Sequence, residues 1–151
     1  MTIADKPWTQ PVLEDENANF DTPLYPEEYA SLSLDIGGEK KSICYLLMEE
    51  TIGKGDKNLG ADLAKKTFAA MVDKHMHPNY VVFMNSGALL AQEDSSIIEY
   101  LKELANEGVS VLTSAESADF YEVRANIKVG VISSMAEILV VLHGVDKVVT
   151  L

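Results

Sequence analysis

The amino-acid sequence predicts an α/β domain in which helices cover both faces of a mainly parallel five-stranded sheet, a three-layer α/β/α sandwich. The first observation behind this prediction is the run Tyr-Val-Val-Phe-Met at residues 80–84. It has no polar alternation, as is typical of a strand buried on both faces. The second is that small polar residues, Asn85, Ser86 and Gly87, follow at once, where open α/β sheets place their ligands. The third is that strand-like and helix-like segments alternate through residues 42–151, which favours parallel β-α-β units.

The periodicity of apolar residues places the individual elements. Five segments are expected to be strands: residues 42–48, 80–84, 109–113, 127–129 and 147–151. Helices are expected at residues 59–74, 96–108 and 135–142, and a polar turn or short helix at 114–121. Ser96 and Ser134 each begin a Ser-x-x-Glu capping box. Gly130 is expected in a turn. The helix after Ser134 is strongly apolar, so we expect it to be well buried.

Composition narrows the range of functions. The 151 residues carry 24 acidic and 12 basic side chains, a net charge of −12. This argues against binding to nucleic acid or to an anionic membrane surface, because both need basic patches. No apolar run approaches the roughly 20 residues of a membrane-spanning helix, and the N-terminus lacks the pattern of a signal peptide. A single cysteine, Cys44, suits a reducing cytoplasm.

Residues 1–41 differ from the rest of the chain and are expected to form a separate N-terminal arm. They hold four of the five prolines and are strongly acidic, which opposes a packed helix. Aromatic residues such as Trp8, Phe20 and Tyr25 could hold an extended arm against a surface of this chain or of a neighbour. A disordered leader is the alternative.

In a parallel sheet the loops after four of the strands would share one edge and could form the floor of one pocket. Within these loops we predict a set of ligand-binding residues that are small or polar: Gly53, Gly55, Asp56, Asn85, Ser86, Gly87, Ser133 and Ser134. Gly-Lys-Gly-Asp at 53–56 resembles a phosphate cradle only loosely, since neither nucleotide-binding glycine pattern is complete. A tight turn into the next helix fits Gly55 and Asp56 better, and no cofactor is expected.

Four further residues could carry chemistry. His75 and His77 could share a metal, but no cysteine or carboxylate cluster accompanies them, so a solvated helix end is the better interpretation and no metal site is expected. Cys44 lies in the middle of a predicted strand, where a buried thiol would be inert. Asp119, between Ala118 and Phe120, could have a raised pKa in an apolar setting and act as an acid or base, or it could cap a helix.

Four segments resemble a known family. Residues 51–60, Thr-Ile-Gly-Lys-Gly-Asp-Lys-Asn-Leu-Gly, resemble the first loop of the DsrE-like domain at the C-terminus of YedF-type proteins, which are described as sulfurtransferase-like selenium metabolism proteins. Residues 82–87 are similar to its second strand and loop, and residues 130–138 and 146–151 to its last third. The resemblance covers about residues 42–151. It implies a DsrE-like domain, flavodoxin-like in appearance, that forms homo-oligomers (trimers or hexamers) and works with sulfur-relay proteins.

The sequence departs from this family in two places. YedF-type proteins carry an N-terminal TusA/SirA domain with a Cys-Pro motif, whereas residues 1–41 are too short for it and contain no cysteine. The family often has a Cys-Gly-Thr-Cys-like segment after the third strand, where this chain has Ser114, Ser117 and then Asp119. By resemblance these three residues mark the catalytic loop, but serine forms no persulfide and sulfur relay requires a thiolate.

Three functional hypotheses follow. The leading one is a DsrE-like protein of sulfur or selenium metabolism that has lost the relay cysteines and serves as a non-catalytic binding or assembly subunit. The second is an enzyme that binds a small anion at the helix N-terminus after Gly130, with Asp119 as acid or base and Ser117 positioning the substrate. The third is sulfur carriage through Cys44, which requires a solvent path to that thiol.

Overall fold

The computed structural model describes residues 40–151. The expected N-terminal arm over residues 1–41 therefore lies, except for its last two residues, outside the described residues. The described residues form five strands, β1 to β5: Ile43–Leu47, Tyr80–Phe83, Ser110–Ser114, Val131–Ser133 and Lys147–Thr150. They also form four α-helices, α1 to α4: Lys57–Asp73, Ile98–Asn106, Ala115–Phe120 and Met135–Gly144. Two 3-10 helices span Asn85–Ala91 and Arg124–Asn126.

All five strands are parallel and form one sheet in the order β4-β3-β2-β1-β5. The apolar run that predicts the fold is β2, the central strand. Val81, Val82 and Phe83 are completely buried, as expected for a strand covered on both faces. The predicted α/β fold with a parallel five-stranded sheet is confirmed. Because all strands run the same way, the loops after them meet at one edge, called here the carboxyl edge.

The two faces of the sheet have unequal cores. On one face, Val81 and Phe83 of the central strand pack with Phe68 of α1 and Leu101 of α2 in the larger apolar cluster. On the other face a smaller cluster holds Cys44, Leu46, Val82 and Leu112, and Ile138 of α4 is the one fully buried helical side chain that covers it. The first face is therefore sealed by two helices and the second mainly by one.

The fourth strand is not where the sequence places it. The prediction of a strand at 127–129 is wrong, and β4 begins after Gly130. Gly130 has φ +77, and a Cβ there would lie 2.1 Å from the carbonyl oxygen of Val111 on β3. Only glycine allows this close approach in a left-handed conformation. Ile127 instead forms an isolated antiparallel bridge with Gln92.

Two predictions about helices fail and one is confirmed. No capping box forms at Ser96: α2 begins at Ile98, and it is the Ser95 hydroxyl that accepts a hydrogen bond from the Ile97 amide, at 3.2 Å. The capping box of Ser134 and Glu137 is present at the start of α4. The expectation that α4 is well buried is wrong, because Ile138 is its single buried residue. None of the helices in residues 40–151 is long and apolar enough to cross a membrane.

Candidate functional site at the carboxyl edge

The carboxyl edge brings three of the predicted site residues, Asn85, Ser114 and Ser117, into direct contact. The backbone amide of Asn85 donates to Ser117 Oγ at 2.7 Å. Ser117 Oγ donates to Ser114 Oγ at 3.0 Å, and Ser114 Oγ donates to a carboxylate oxygen of Glu116 at 3.1 Å. The Tyr121 hydroxyl completes the set by donating to Asn85 Oδ1 at 3.1 Å. These five residues are called the serine cluster below.

Local backbone geometry explains why these residues meet. β3 ends at Ser114, whose hydroxyl accepts from the Ser117 amide at 3.2 Å and so caps α3. β2 ends at Phe83, two residues before Asn85. Asn85 has φ +52, a left-handed conformation that asparagine tolerates better than most residues. Because β2 and β3 are neighbours, the cap of one loop and the turn of the next lie side by side.

The serine cluster lacks the parts of an activated nucleophile. A reactive serine needs an adjacent base that accepts its proton. Here the Ser117 proton goes to another hydroxyl, and the chain of donors ends on Glu116, an exposed carboxylate. The three histidines lie elsewhere, at 75, 77 and 143. The arrangement suits a fixed polar surface better than covalent catalysis.

Asp119 does not have the environment expected from the sequence. Its side chain is exposed and forms a bidentate ion pair with Arg124, at 2.6 Å to Nε and 3.0 Å to Nη2. The hydrogen bonds from Arg124 hold the pKa of Asp119 below its usual value. The expectation of a raised pKa is therefore wrong, and a carboxylate held ionised by an arginine is a poor general acid. The arginine five residues downstream was the signal that the sequence offered.

The first loop shapes the start of α1 rather than a phosphate cradle. Asp56 is the N-cap of α1, and its carboxylate accepts from the Leu59 amide at 2.9 Å. Gly53 has φ +84, and the Ile52 amide donates to the Gly60 carbonyl at 3.1 Å, which folds the loop back on the helix. The tight turn expected here is present. Because a carboxylate already occupies this helix N-terminus, an anionic ligand would be repelled.

The start of α4 is occupied in the same way. The Ser134 amide donates to Glu137 Oε2 at 2.7 Å, and the Ser134 hydroxyl donates to the same oxygen at 3.1 Å. Ser133 is buried at the end of β4. The amide and hydroxyl that the anion-binding hypothesis requires therefore already bind a carboxylate of the chain itself, which weakens that hypothesis.

Ser86 and Gly87 lie in the first 3-10 helix, and Gly87 has a packing role. A Cβ at Gly87 would lie 2.3 Å from the carbonyl oxygen of Leu47 at the end of β1. The Met84 amide donates to that same carbonyl at 3.0 Å. Glycine is needed here because the backbone of the loop crosses directly over the end of the neighbouring strand.

An open cleft of about 340 Å³ lies beside the first loop. Its lining includes residues from the loop after β1, from α1 and from the segment before α2: Glu50, Thr51, Lys57, Leu89, Gln92 and Ser96. None of the eight predicted ligand-binding residues lines it. Thr51 and Lys57 belong to the segment 51–60 that carries the family resemblance, but no motif in the sequence marks the lining residues as ligand-binding.

Cys44, the one cysteine of the chain, is sealed inside the sheet. Its exposed fraction is 0%, and burial raises the pKa of its thiol to about 11. A thiol that is both inaccessible and protonated is a poor nucleophile. The prediction that Cys44 is inert and structural agrees with this environment, and no solvent path reaches it among the described residues.

Comparison with known proteins gives the fold. The solved structure of the YchN protein from E. coli superimposes with a TM-score of 0.54 and 13% identity, over 73% of this chain and 99% of that one. The fold is DsrE-like. A conserved protein of unknown function from Bacteroides thetaiotaomicron, BT1422, is also similar, with a TM-score of 0.50 and 11% identity over 73% of this chain and 95% of that one.

These likenesses are structural and do not extend to sequence families. No family model matches the chain, and no curated protein matches it. At 11% and 13% identity the two structures support the DsrE-like fold alone. The finer resemblance to YedF-type proteins stays a prediction.

Proposed function

We propose that this protein is a non-catalytic binding or assembly subunit that acts beside proteins of sulfur or selenium metabolism. The observation that carries the proposal is the absence of an accessible thiol from a DsrE-like domain. Cys44 is the one cysteine of the whole sequence, and it is buried with its pKa raised to about 11. Sulfur relay requires a thiolate that can reach its partner, so the sulfur chemistry belongs to another protein.

The serine cluster supports a binding role at the position where the family resemblance places the relay cysteines. Ser114 and Ser117, which stand where the resemblance places cysteines, are held by hydrogen bonds to each other, to Glu116 and to the Asn85 amide. Such a surface presents hydroxyl and amide groups in fixed positions. It can recognise a partner without exchanging a covalent group with it.

The surface of α4 supports the assembly role. Three apolar side chains of this helix face solvent: Met135, Leu139 and Val140, the last with 73% of its surface exposed. Val131 and Val148, on the two edge strands, are exposed as well. Their register with Leu112 and Cys44 places them on the sheet face that α4 covers. These five residues are called the α4 surface.

Geometry explains why this surface is left open. An α-helix with its side chains is about 10–12 Å wide, whereas five strands at about 4.8 Å spacing span about 19 Å. One helix cannot cover the whole face, so apolar side chains at both sheet edges stay outside it. We propose that a second copy of the chain covers them in a homo-oligomer, with the trimer or hexamer that the resemblance implies as the expected state.

Two measurements test the proposal. The first is intact mass after treatment with a persulfide donor, which should show no added sulfur on the folded native protein. A Ser117→Cys variant, which places a thiol in the serine cluster, should take up sulfur and so show that the donor is active. Rapid sulfur uptake by the folded native protein, abolished by Cys44→Ser, would instead make it a sulfur carrier.

Light scattering tests the assembly role separately. The native protein should have a mass that is a multiple of 16.5 kDa, and Val140→Asp should reduce it. A strict monomer at concentrations up to the millimolar range would refute self-assembly and leave the α4 surface for a different partner.

A further inference from the structure

His75, His77 and Glu107 meet at the edge of the sheet opposite the serine cluster. The two histidines lie between α1 and β2, and Glu107 is the C-cap of α2, just before β3. Because β2 and β3 are adjacent and parallel, the segments that enter them lie side by side. The expectation that no carboxylate accompanies the histidines is wrong, since the fold supplies one from a distant part of the sequence.

The three side chains point their ligand atoms at a common place. Glu107 Oε2 lies 2.7 Å from His77 Nε2 and 3.8 Å from His75 Nδ1. All three ligand atoms lie within 4.8 Å of one another. The two imidazole rings are 5.7 Å apart, with an angle of 71° between their planes, so they approach the carboxylate from different directions.

The contact between His77 and Glu107 does not have the geometry of a hydrogen-bonded ion pair. His77 Nε2 is shielded from solvent and has no hydrogen-bond partner, although the Glu107 oxygen is only 2.7 Å away. The distance suits a hydrogen bond, but the atoms are not aligned for one. A buried polar nitrogen without a partner is costly, and the lone pair of a neutral imidazole nitrogen can be donated to a metal ion.

We propose that His75, His77 and Glu107 bind a divalent transition metal of the zinc class. Two imidazole nitrogens and one carboxylate oxygen form a ligand set that zinc accepts, with a fourth position for water. Mg²⁺ and Ca²⁺ prefer oxygen ligands throughout, so they fit poorly.

The two separations from Glu107 require only a small adjustment, whereas the imidazole nitrogens, which lie within 4.8 Å of each other, must approach by up to about 1.5 Å. With bonds of about 2.0–2.1 Å, neighbouring ligands around tetrahedral zinc lie about 3.3 Å apart. The 2.7 Å separation must therefore lengthen and the 3.8 Å separation shorten, each by roughly half an ångström. His75 is 77% exposed at its side chain, so it is free to move, whereas the side chains of His77 and Glu107, 21% and 34% exposed, fix the position of the site.

The position of the site gives a bound metal a stabilising role. It lies at the edge opposite the serine cluster and joins the segment before β2 to the segment before β3. A metal that binds the folded state and not the unfolded chain raises stability. We therefore expect zinc to hold the segments that precede β2 and β3 together.

Calorimetric titration of the untagged protein with Zn²⁺ tests the proposal, with thermal unfolding as a second readout. One ion should bind per chain, and the melting temperature should rise. His77→Gln and Glu107→Gln, which keep polar side chains of similar size, and His75→Asn, which tolerates the left-handed backbone at this position (φ +51), should each weaken binding more than tenfold. Loss of a residue that only orients a ligand already weakens binding by about 10–100-fold, so loss of a direct ligand should have at least that effect.

His143→Asn is the matched control. This histidine is exposed at the end of α4 and is the only other histidine of the sequence, so its loss should leave zinc affinity unchanged. The proposal is overturned if no saturable binding occurs, if affinity survives Glu107→Gln and His77→Gln, or if His143→Asn weakens binding as much as they do. Survival would show that zinc binds general surface carboxylates of this acidic chain.

Discussion

Truncation of two residues of α4, Ile138 and Val140, should have very different effects on stability. Ile138 is buried between the helix and the sheet, whereas Val140 faces solvent. Ile138 is completely buried and packs with Cys44, Leu46 and Val82 on the sheet. Val140, two residues later, is 73% exposed. Alanine substitutions at the two positions therefore distinguish the contacts that hold α4 on its own sheet from the apolar surface that is available to another molecule.

The magnitude for Ile138→Ala follows from the buried groups that it removes. Three carbon groups are lost, and at about 0.8 kcal/mol for each buried CH₂ the transfer contribution is about 2.4 kcal/mol. The cavity left under α4 adds to this, so the free energy of unfolding should fall by about 3–4 kcal/mol. Val140→Ala removes exposed surface and should change the stability of a single chain by no more than about 0.5 kcal/mol.

Urea denaturation at several protein concentrations is the assay. Ile138→Ala should lower the transition midpoint equally at all concentrations. Val140→Ala should lower it only at concentrations where copies associate, because association stabilises the folded state by mass action. A loss below about 1 kcal/mol for Ile138→Ala would refute the packing of α4 on the sheet, and an equal, concentration-independent loss for Val140→Ala would refute the exposed α4 surface.

Three other outcomes are expected. Gly130→Ala should cost more than about 3 kcal/mol or abolish soluble expression, since its Cβ would overlap the Val111 carbonyl; a melting temperature close to that of the native protein would contradict this. Ser134→Ala should cost about 1 kcal/mol in urea denaturation through loss of the N-cap of α4, and a neutral result would mean that Glu137 caps the helix alone. Burial raises the pKa of Cys44 from 9.0 to about 11, so its contribution to stability is complete below pH 9 and is lost as the pH rises through 11. Cys44→Ala should therefore lose less stability than the native protein between these pH values, and identical losses would exclude the thiol as a cause.

The central elements of the fold could be predicted because their sequence signals are local. A continuous apolar run identifies β2 without knowledge of its neighbours, and the Ser134 capping box depends on residues three apart. β4 was misplaced because it has only three residues and lies at an edge, with Val131 exposed. Hydropathy shows that α4 is apolar but not how much of it the sheet covers.

The difference between local signals and tertiary contacts also explains which parts of the two sites could be predicted. Asn85, Ser114 and Ser117 could be placed together because parallel neighbouring strands end at one edge. Glu107 could not be placed beside His77, since their proximity depends on the pairing of β2 with β3 and on where α2 ends. Tertiary contacts between distant loops leave no periodic signal in the sequence.

The pairing of β1 with β5 has a consequence for the order in which the domain folds. Ser42 and Asp146, which exchange hydrogen bonds at the start of these strands, are separated by 104 positions, whereas β2 joins β1 and β3 across much shorter connections. Closing the long loop between β1 and β5 costs more chain entropy, and this cost arises before the contacts between the two strands form. We expect β1, β2 and β3 to assemble first and β5 to join last. Amide hydrogen exchange should then be faster in Lys147–Thr150 than in Tyr80–Phe83, which would make the outer strand the point where opening of the native sheet begins.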